Sequence, residues 1–162
     1  YQDNSIYMKY SNFLLVFIFQ FLFFSNCLSQ IYTSIDSNFK NIITSKIISS
    51  QKTIHALIYK FNDDDILKQF IDAQNRGVSL DIICDKNSLH YSKKINNVTL
   101  FDNIPPFNKL HAKSLLFDNT TLLIGSFNLD KSTFSTNFEI MLETTNYSNN
   151  FLDKFYELKK FL

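Results

Sequence analysis

The chain is short of several residue types, and each shortage narrows the reading. Among its 162 residues there are two glycines, two prolines, two cysteines and no tryptophan. With so few glycines, one that falls inside a spaced motif is not background. Cys27 lies in a segment expected to be removed, so an internal disulfide is not expected. Cys84 sits in an apolar run and reads as a buried structural thiol. Acids and bases nearly cancel, for a formal net charge of +1, so no strong overall pull toward nucleic acid or anionic lipid exists. Phenylalanine, at 18 residues, is abundant; with the excess of Ile, Asn and Lys, this bias fits an AT-rich genome better than a structural need. No internal repeat is visible. The length suits one domain with a real core.

The N-terminus has the parts of a targeting segment. Met8 and Lys9 precede an apolar run over 13–24, broken only by Gln20, which gives way to the polar exit Ser25-Asn26-Cys27-Leu28-Ser29. A membrane span needs ~20 residues, so the run is short for one. We expect residues 1–7 to be an upstream extension, 8–29 a signal peptide or, alternatively, a retained membrane anchor, and 31–162 the folded domain. Lipid attachment at Cys27 is a weaker third reading. Each of the two main readings sends the domain out of the cytoplasm, to the periplasm or beyond, or holds it on a membrane.

Beyond residue 30, helix-like and strand-like stretches alternate. Phe39, Ile42, Ile43, Ile47 and Ile48 fall at helical spacing, predicting a helix over 37–51 capped by Ser37 or Asn38. Residues 53–59 read as a buried strand. Asp63-Asp64-Asp65 invites a metal-site reading, but acidic residues belong at a helix start, where they cap free N–H groups and offset the dipole. Gly77 closes that helix, and 78–84 is the next strand. A strand–helix–strand unit implies a parallel pair. Residues 86–97 form a polar loop or short irregular helix, 98–101 a strand, and Pro105-Pro106 a rigid turn. Strands 112–117 and 121–124 form a hairpin about Asp118-Asn119-Thr120, 138–142 is a further strand, and 149–161 a closing helix with Phe151, Leu152, Phe155, Leu158 and Phe161 inward. The fold class is α/β, a mixed sheet flanked by helices.

Between 111 and 128 the chain reads H-x-K-x4-D-x6-G-S-x-N, comprising His111, Lys113, Asp118, Gly125, Ser126 and Asn128. A His and a Lys two apart on extended chain face the same way, setting a nucleophile or acid beside a fixed charge. The turn then returns a hydroxyl and a carboxamide to the same neighbourhood. Such a set suits a tetrahedral anion, and phosphodiester chemistry is the natural candidate.

The pattern resembles the HKD signature of the phospholipase D superfamily. The order of elements from 37 to 162 also looks like a whole small single-motif member, including the strand ending Tyr59-Lys60-Phe61 and the Asn137-x-Glu139 that follows the motif. It is most similar to short bacterial endonucleases and phospholipases D; mitochondrial cardiolipin hydrolases share the plan and carry an N-terminal membrane segment. The resemblance implies an α/β sandwich and hydrolysis through a covalent phospho-histidine. His111 would attack phosphorus, or serve as acid and then base. Lys113 would hold the non-bridging oxygens, with Ser126 and Asn128 donating to them. Glu139 would fix the tautomer of His111. Asp118, the third letter of the signature, sits at the hairpin and is expected to order that turn. No metal or cofactor is required, because Lys and hydrogen-bond donors stabilise the charge.

This mechanism needs two imidazoles, and there is one motif. His55, on a strand, and His90, in a polar loop, each lack a Lys two residues on and read as structural or solvated. Small members of the family pair their motifs across a two-fold axis, which implies a homodimer with one shared site. The substrate is left open between phospholipid, favoured by export and low net charge, and nucleic acid, with Lys93, Lys94 and Lys109 as candidate contacts. Phe107 would meet lipid or a base; Phe127 reads as core. An inactive binding module is the remaining alternative.

Overall fold

The computed structural model describes residues 29–162. Seven strands form one sheet: β1 (Ser29–Thr33), β2 (Thr53–Ile58), β3 (Ser79–Asp85), β4 (Val98–Phe101), β5 (Ser114–Phe117), β6 (Thr121–Gly125) and β7 (Ile140–Thr144). The helices are α1 (Phe39–Ser49), α2 (Asp64–Asn75), the single turns α3 (Leu89–Ser92) and α4 (Lys131–Ser135), and α5 (Ser148–Lys159). The sheet order is β1-β7-β6-β5-β2-β3-β4. β2, β3 and β4 run parallel; the other neighbours are antiparallel. The mixed sheet with helices on its faces matches the expected class.

Local chemistry starts and stops the helices where the sequence indicates. Asn38 caps α1, its side chain accepting from the backbone N–H of Asn41 at 3.0 Å. Asp63 caps α2 in the same way through Ile66, and Lys40 pairs with both Asp63 and Asp65. The acidic triplet is thus a helix start tied to α1. Gly77 ends α2 at φ +92°. Its N–H donates to Gln74 and that of Val78 to Ala73, the paired bonds that a left-handed residue after a helix makes possible.

α1 and α2 cover one face of the sheet. Phe39, Ile43, Ile47, Ile66 and Phe70 pack there with Ile54, Ala56, Leu115 and Phe127. Each such side chain contributes about 1.5–3 kcal/mol on burial. Phe127 is core, as expected. On the opposite face α5 packs over the sheet, with Phe155 buried against Ile83, Phe101 and Leu110.

Several expectations are corrected. The sheet begins at Ser29, and strand β1 was not anticipated. Of the predicted targeting segment 8–29, only Ser29 is described; the rest lies outside the described residues, as does Cys27. Among the described residues no helix is long and apolar enough to cross a membrane. Strand β7 starts at Ile140 rather than 138. Phe155 alone is buried on α5; Phe151, Leu152 and Leu158 are partly covered, and Phe161 is 69% exposed, because α5 ends before it and the chain leaves the sheet.

Candidate active site

The sheet's strand directions collect the motif at one end. Tyr59 follows β2, Asp85 ends β3 and Gly125 ends β6, whereas His111 and Lys113 precede β5 and Glu139 precedes β7. Because β5 and β7 run against β2 and β6, these termini meet at one edge. Carboxyl ends of strands are where open α/β sheets place their ligands.

His111 and Lys113 lie on extended backbone just outside the β5 ladder. Lys113 is 8% exposed, and its ammonium donates to the carbonyl oxygen of His111 at 2.7 Å. Burial pushes the Lys113 ammonium below its ordinary value, Glu139 opposes this, and Lys109 and Lys60 push it further down. The His111 imidazole is open to solvent and lies 4.6 Å, centroid to centroid, from the Tyr59 ring. Partial desolvation, followed by Lys113, Lys109 and Lys60, holds its pKa below the ordinary histidine value, while Asp85 pulls the other way. The neutral, nucleophilic form is therefore favoured.

Two residues assigned no role in the site from the sequence support this pair. Tyr59 forms a wall for the imidazole; the sequence marked it only as the end of a buried strand, within the Tyr59-Lys60-Phe61 run of the resemblance. Asp85 is 1% exposed and accepts from the backbone N–H of Leu110 at 2.9 Å and from Asn87, fixing the segment that leads into His111. Nothing in the spacing announced it.

The G-S-x-N half of the motif is held just as firmly. A side chain on Gly125 would place its Cβ 2.1 Å from the carbonyl oxygen of Ile140, so only glycine lets β6 and β7 approach here. Ser126 accepts from the N–H of Ile140 at 3.1 Å and gives its hydroxyl hydrogen to Glu139. That hydrogen is engaged, which differs from the role of phosphate donor implied by the resemblance. Glu139 is buried; it accepts from Ser126 and from Asn137 Nδ2. Among the described residues no hydrogen bond joins it to His111, so the expected hold on that tautomer is not made within one chain. Asn128 donates its N–H to Thr133 Oγ1 at 2.9 Å and buries its Oδ1 with no partner.

Asp118 is not at this end. It sits at the far turn of the hairpin, at φ +50°, and its carboxylate accepts from the backbone N–H groups of Gln51, Lys52 and Thr53. Burial would raise its pKa, but these donors outweigh that and hold it below the usual carboxylate range. Its work is to tie the hairpin to the entry of β2. His55 is buried between Phe155 and Tyr156, with Nε2 3.0 Å from the Tyr156 hydroxyl. His90 meets the Tyr91 ring edge-on. Cys84 is buried, its thiol pushed up to about 11 by desolvation. Phe107 is exposed. Among the described residues no cluster of His, Cys, Asp and Glu is arranged to hold a metal ion.

Comparison with known proteins agrees with this geometry. The family described as "Cardiolipin synthase, PLD-like domain" matches residues 43–158. A protein named phospholipase D from Rickettsia bellii is 25% identical over 126 residues, covering 72% of this chain and 62% of its own. Cardiolipin synthase A from Buchnera aphidicola is 31% identical over 110 residues, 62% of this chain and 22% of its own. The chain thus spans less than two thirds of these curated relatives. Among solved structures, the phospholipase D family member Nuc from Salmonella typhimurium superposes with a TM-score of 0.70 at 26% identity, over 80% of this chain and 92% of that one. NucT from Helicobacter pylori gives a TM-score of 0.64 at 21% identity, over 82% and 94%, a likeness of fold.

Proposed function

From the premise that this chain belongs to the phospholipase D-like family, we propose that it hydrolyses phosphodiester bonds, with a phospholipid head group as leaving group, through a phospho-histidine formed on His111. The observation that carries the reading is the buried Lys113 ammonium held at the His111 carbonyl beside an imidazole biased toward its neutral form.

The steps follow from that chemistry. A ring nitrogen of one His111 attacks phosphorus, and the bond from phosphorus to the leaving oxygen breaks. The partner subunit's His111, as imidazolium, gives that oxygen its proton. The same imidazole then takes a proton from water, whose oxygen attacks phosphorus. The P–N bond breaks and the phosphomonoester leaves. Lys113 stabilises the non-bridging oxygens as a point charge. Glu139, fixed by Ser126 and Asn137, offsets the Lys113 charge from the other side.

Each chain supplies one such imidazole, so the reaction calls for a two-fold dimer. The sheet supports it. Ile31, Leu142 and Ile124 lie opposite one another on a single face, with Ile140 on the same side. Leu116, Leu122 and Thr144 are buried further along this face, but Ile31, Ile124 and Ile140 at its site end are exposed. A second copy is the occupant we assign, because covering this face would also bring site ends together. Export, or retention on a membrane by the segment before Ser29, remains part of this proposal.

The alternative is a nuclease using the same steps, favoured by Lys60 and Lys109 beside His111. The deciding experiment incubates purified protein, in EDTA, with labelled phospholipid vesicles and with plasmid DNA, beside His111→Asn. Head-group release that is lost in the variant supports the first reading; nicking of DNA alone supports the second. Two intact substrates at every pH tested overturn both.

A further inference from the structure

The Tyr59 ring gathers cations. Lys113, Lys109 and Lys60 place their ammonium groups 4.9, 5.7 and 5.8 Å from its centroid. Attraction to a ring face is worth only ~0.5–1 kcal/mol at exposed sites, and three like charges around one ring repel. Elsewhere among the described residues Lys40, Lys46, Lys86, Lys154 and Lys159 form ion pairs with carboxylates, whereas Lys52, Lys68, Lys93, Lys94, Lys131 and Lys160 do not; what sets the three apart is that they share one ring. Among the described residues, Lys60, Lys109 and Lys113 form none.

The carboxylates nearby do not balance them. Glu139 faces Lys113. Asp85 is buried and already takes three N–H donors, from Leu110 and Asn87. Lys60 and Lys109 are left exposed with no counter-charge, yet close enough to depress the pKa of both His111 and Lys113. The charge is also one-sided. On the Glu139 side, the groove of about 380 Å³ that includes Ser34, Asn38, Thr133 and Asn137 has Asp36 as its single charged lining residue. A lone diester carries one negative charge, which Lys113 already answers.

We propose that Lys60 and Lys109, steered by the Tyr59 ring, form a second anion subsite that takes a phosphate flanking the one cleaved. The substrate class is a diester with a neighbouring phosphate, whether in a nucleic-acid strand or in a lipid bearing two phosphodiesters. This rests on the phosphodiesterase reading and narrows it.

The test uses the full chain and the double substitution Lys60→Gln, Lys109→Gln. Three substrates are compared: bis(p-nitrophenyl) phosphate, a single-stranded oligothymidylate, and a two-phosphodiester lipid in neutral detergent micelles. On at least one of the last two, kcat/KM is expected to fall on the order of tenfold or more beyond any fall on the single-phosphate ester, and which one responds names the source. Binding of fluorescein-labelled oligothymidylate is measured in parallel in a His111→Asn background; in the nucleic-acid case the salt slope becomes shallower by roughly 0.7 per lysine removed. Equal losses on all three substrates, or no loss on any, overturn the subsite. No turnover by the unsubstituted protein, with lysine-dependent binding intact, overturns the phosphodiesterase reading and leaves the subsite standing.

Discussion

Lys113 folds its ammonium back onto the carbonyl oxygen of His111 at 2.7 Å, so the charge and the imidazole are held by a single two-residue clasp. The bond leaves two of the three ammonium hydrogens for substrate oxygens. A guanidinium is planar and cannot occupy the same buried space. We expect Lys113→Arg to lose on the order of 10²-fold or more in kcat, as Lys113→Ala does, which is the scale for removing one transition-state donor. Steady-state kinetics with a chromogenic diester measure it; an Arg variant within twofold of the parent would show that charge alone suffices.

The imidazole's pH response has a definite sign. Partial desolvation, and then the nearby cations, disfavour its charged form and lower its pKa, so the nucleophile stays neutral to a lower pH than an ordinary histidine. Activity is expected to fall on the acid side below the ordinary histidine value of about 6.5. Lys109→Gln removes one repelling charge, so the acid limb moves to higher pH. A pH profile of kcat/KM on a single-phosphate ester reads this directly, and a limb that moves downward contradicts it.

Glu139 and Ser126 form one unit. Glu139→Gln keeps the shape but removes the charge that opposes the lowering of the Lys113 pKa. We expect at least a tenfold loss of kcat from the weakened lysine, with the alkaline limb moving to lower pH. Unchanged turnover would reduce Glu139 to a scaffold.

Asp118 acts on stability rather than turnover. Its folded-state pKa is depressed, so its contribution is present above the unfolded carboxyl value of about 3.9 and is lost as pH falls through the folded value. Asp118→Asn is expected to cost about 1–3 kcal/mol at neutral pH, the scale for weakening hydrogen bonds to a charged group. The difference should shrink in acid. Denaturant unfolding at several pH values checks this, with kcat changed less than about threefold because the turn lies at the far end of β5.

The exposed isoleucines of the sheet test assembly. Ile31 and Ile124 are exposed in the single chain, so Ile31→Asp with Ile124→Asp leaves the fold intact by circular dichroism. Light scattering is expected to report monomers, with turnover down at least tenfold. An active monomer would remove the need for a shared site.

Much of this was legible in order along the chain. The caps at Asn38 and Asp63 and the Gly77 stop depend on neighbours a few residues away, which periodicity and spacing report; the turn residues around Asp118 were visible too, but not its carboxylate's bonds to residues 51–53. What escaped depends on distant partners. β1 is a strand because Ser29 to Thr33 lie along Thr144 to Ile140. The bond from Ser126 to Glu139 joins residues 13 apart that meet because β6 pairs with β7, which spacing along the motif does not report. Phe161 looked inward on a helical wheel, but the wheel does not show where the sheet beneath it ends. Tyr59 and Asp85 carried no motif of their own; strand directions alone deliver them to His111.

Ser34 is a small bolt with a large span. Its hydroxyl receives the Glu139 N–H and donates to the Asn137 carbonyl, and its own N–H reaches Glu139. The acid of the site is thereby latched by the first turn after β1, upstream of where the family match begins at residue 43. A fragment trimmed to that match would keep every signature letter and lose the latch, so the minimal working unit is longer than the recognisable one.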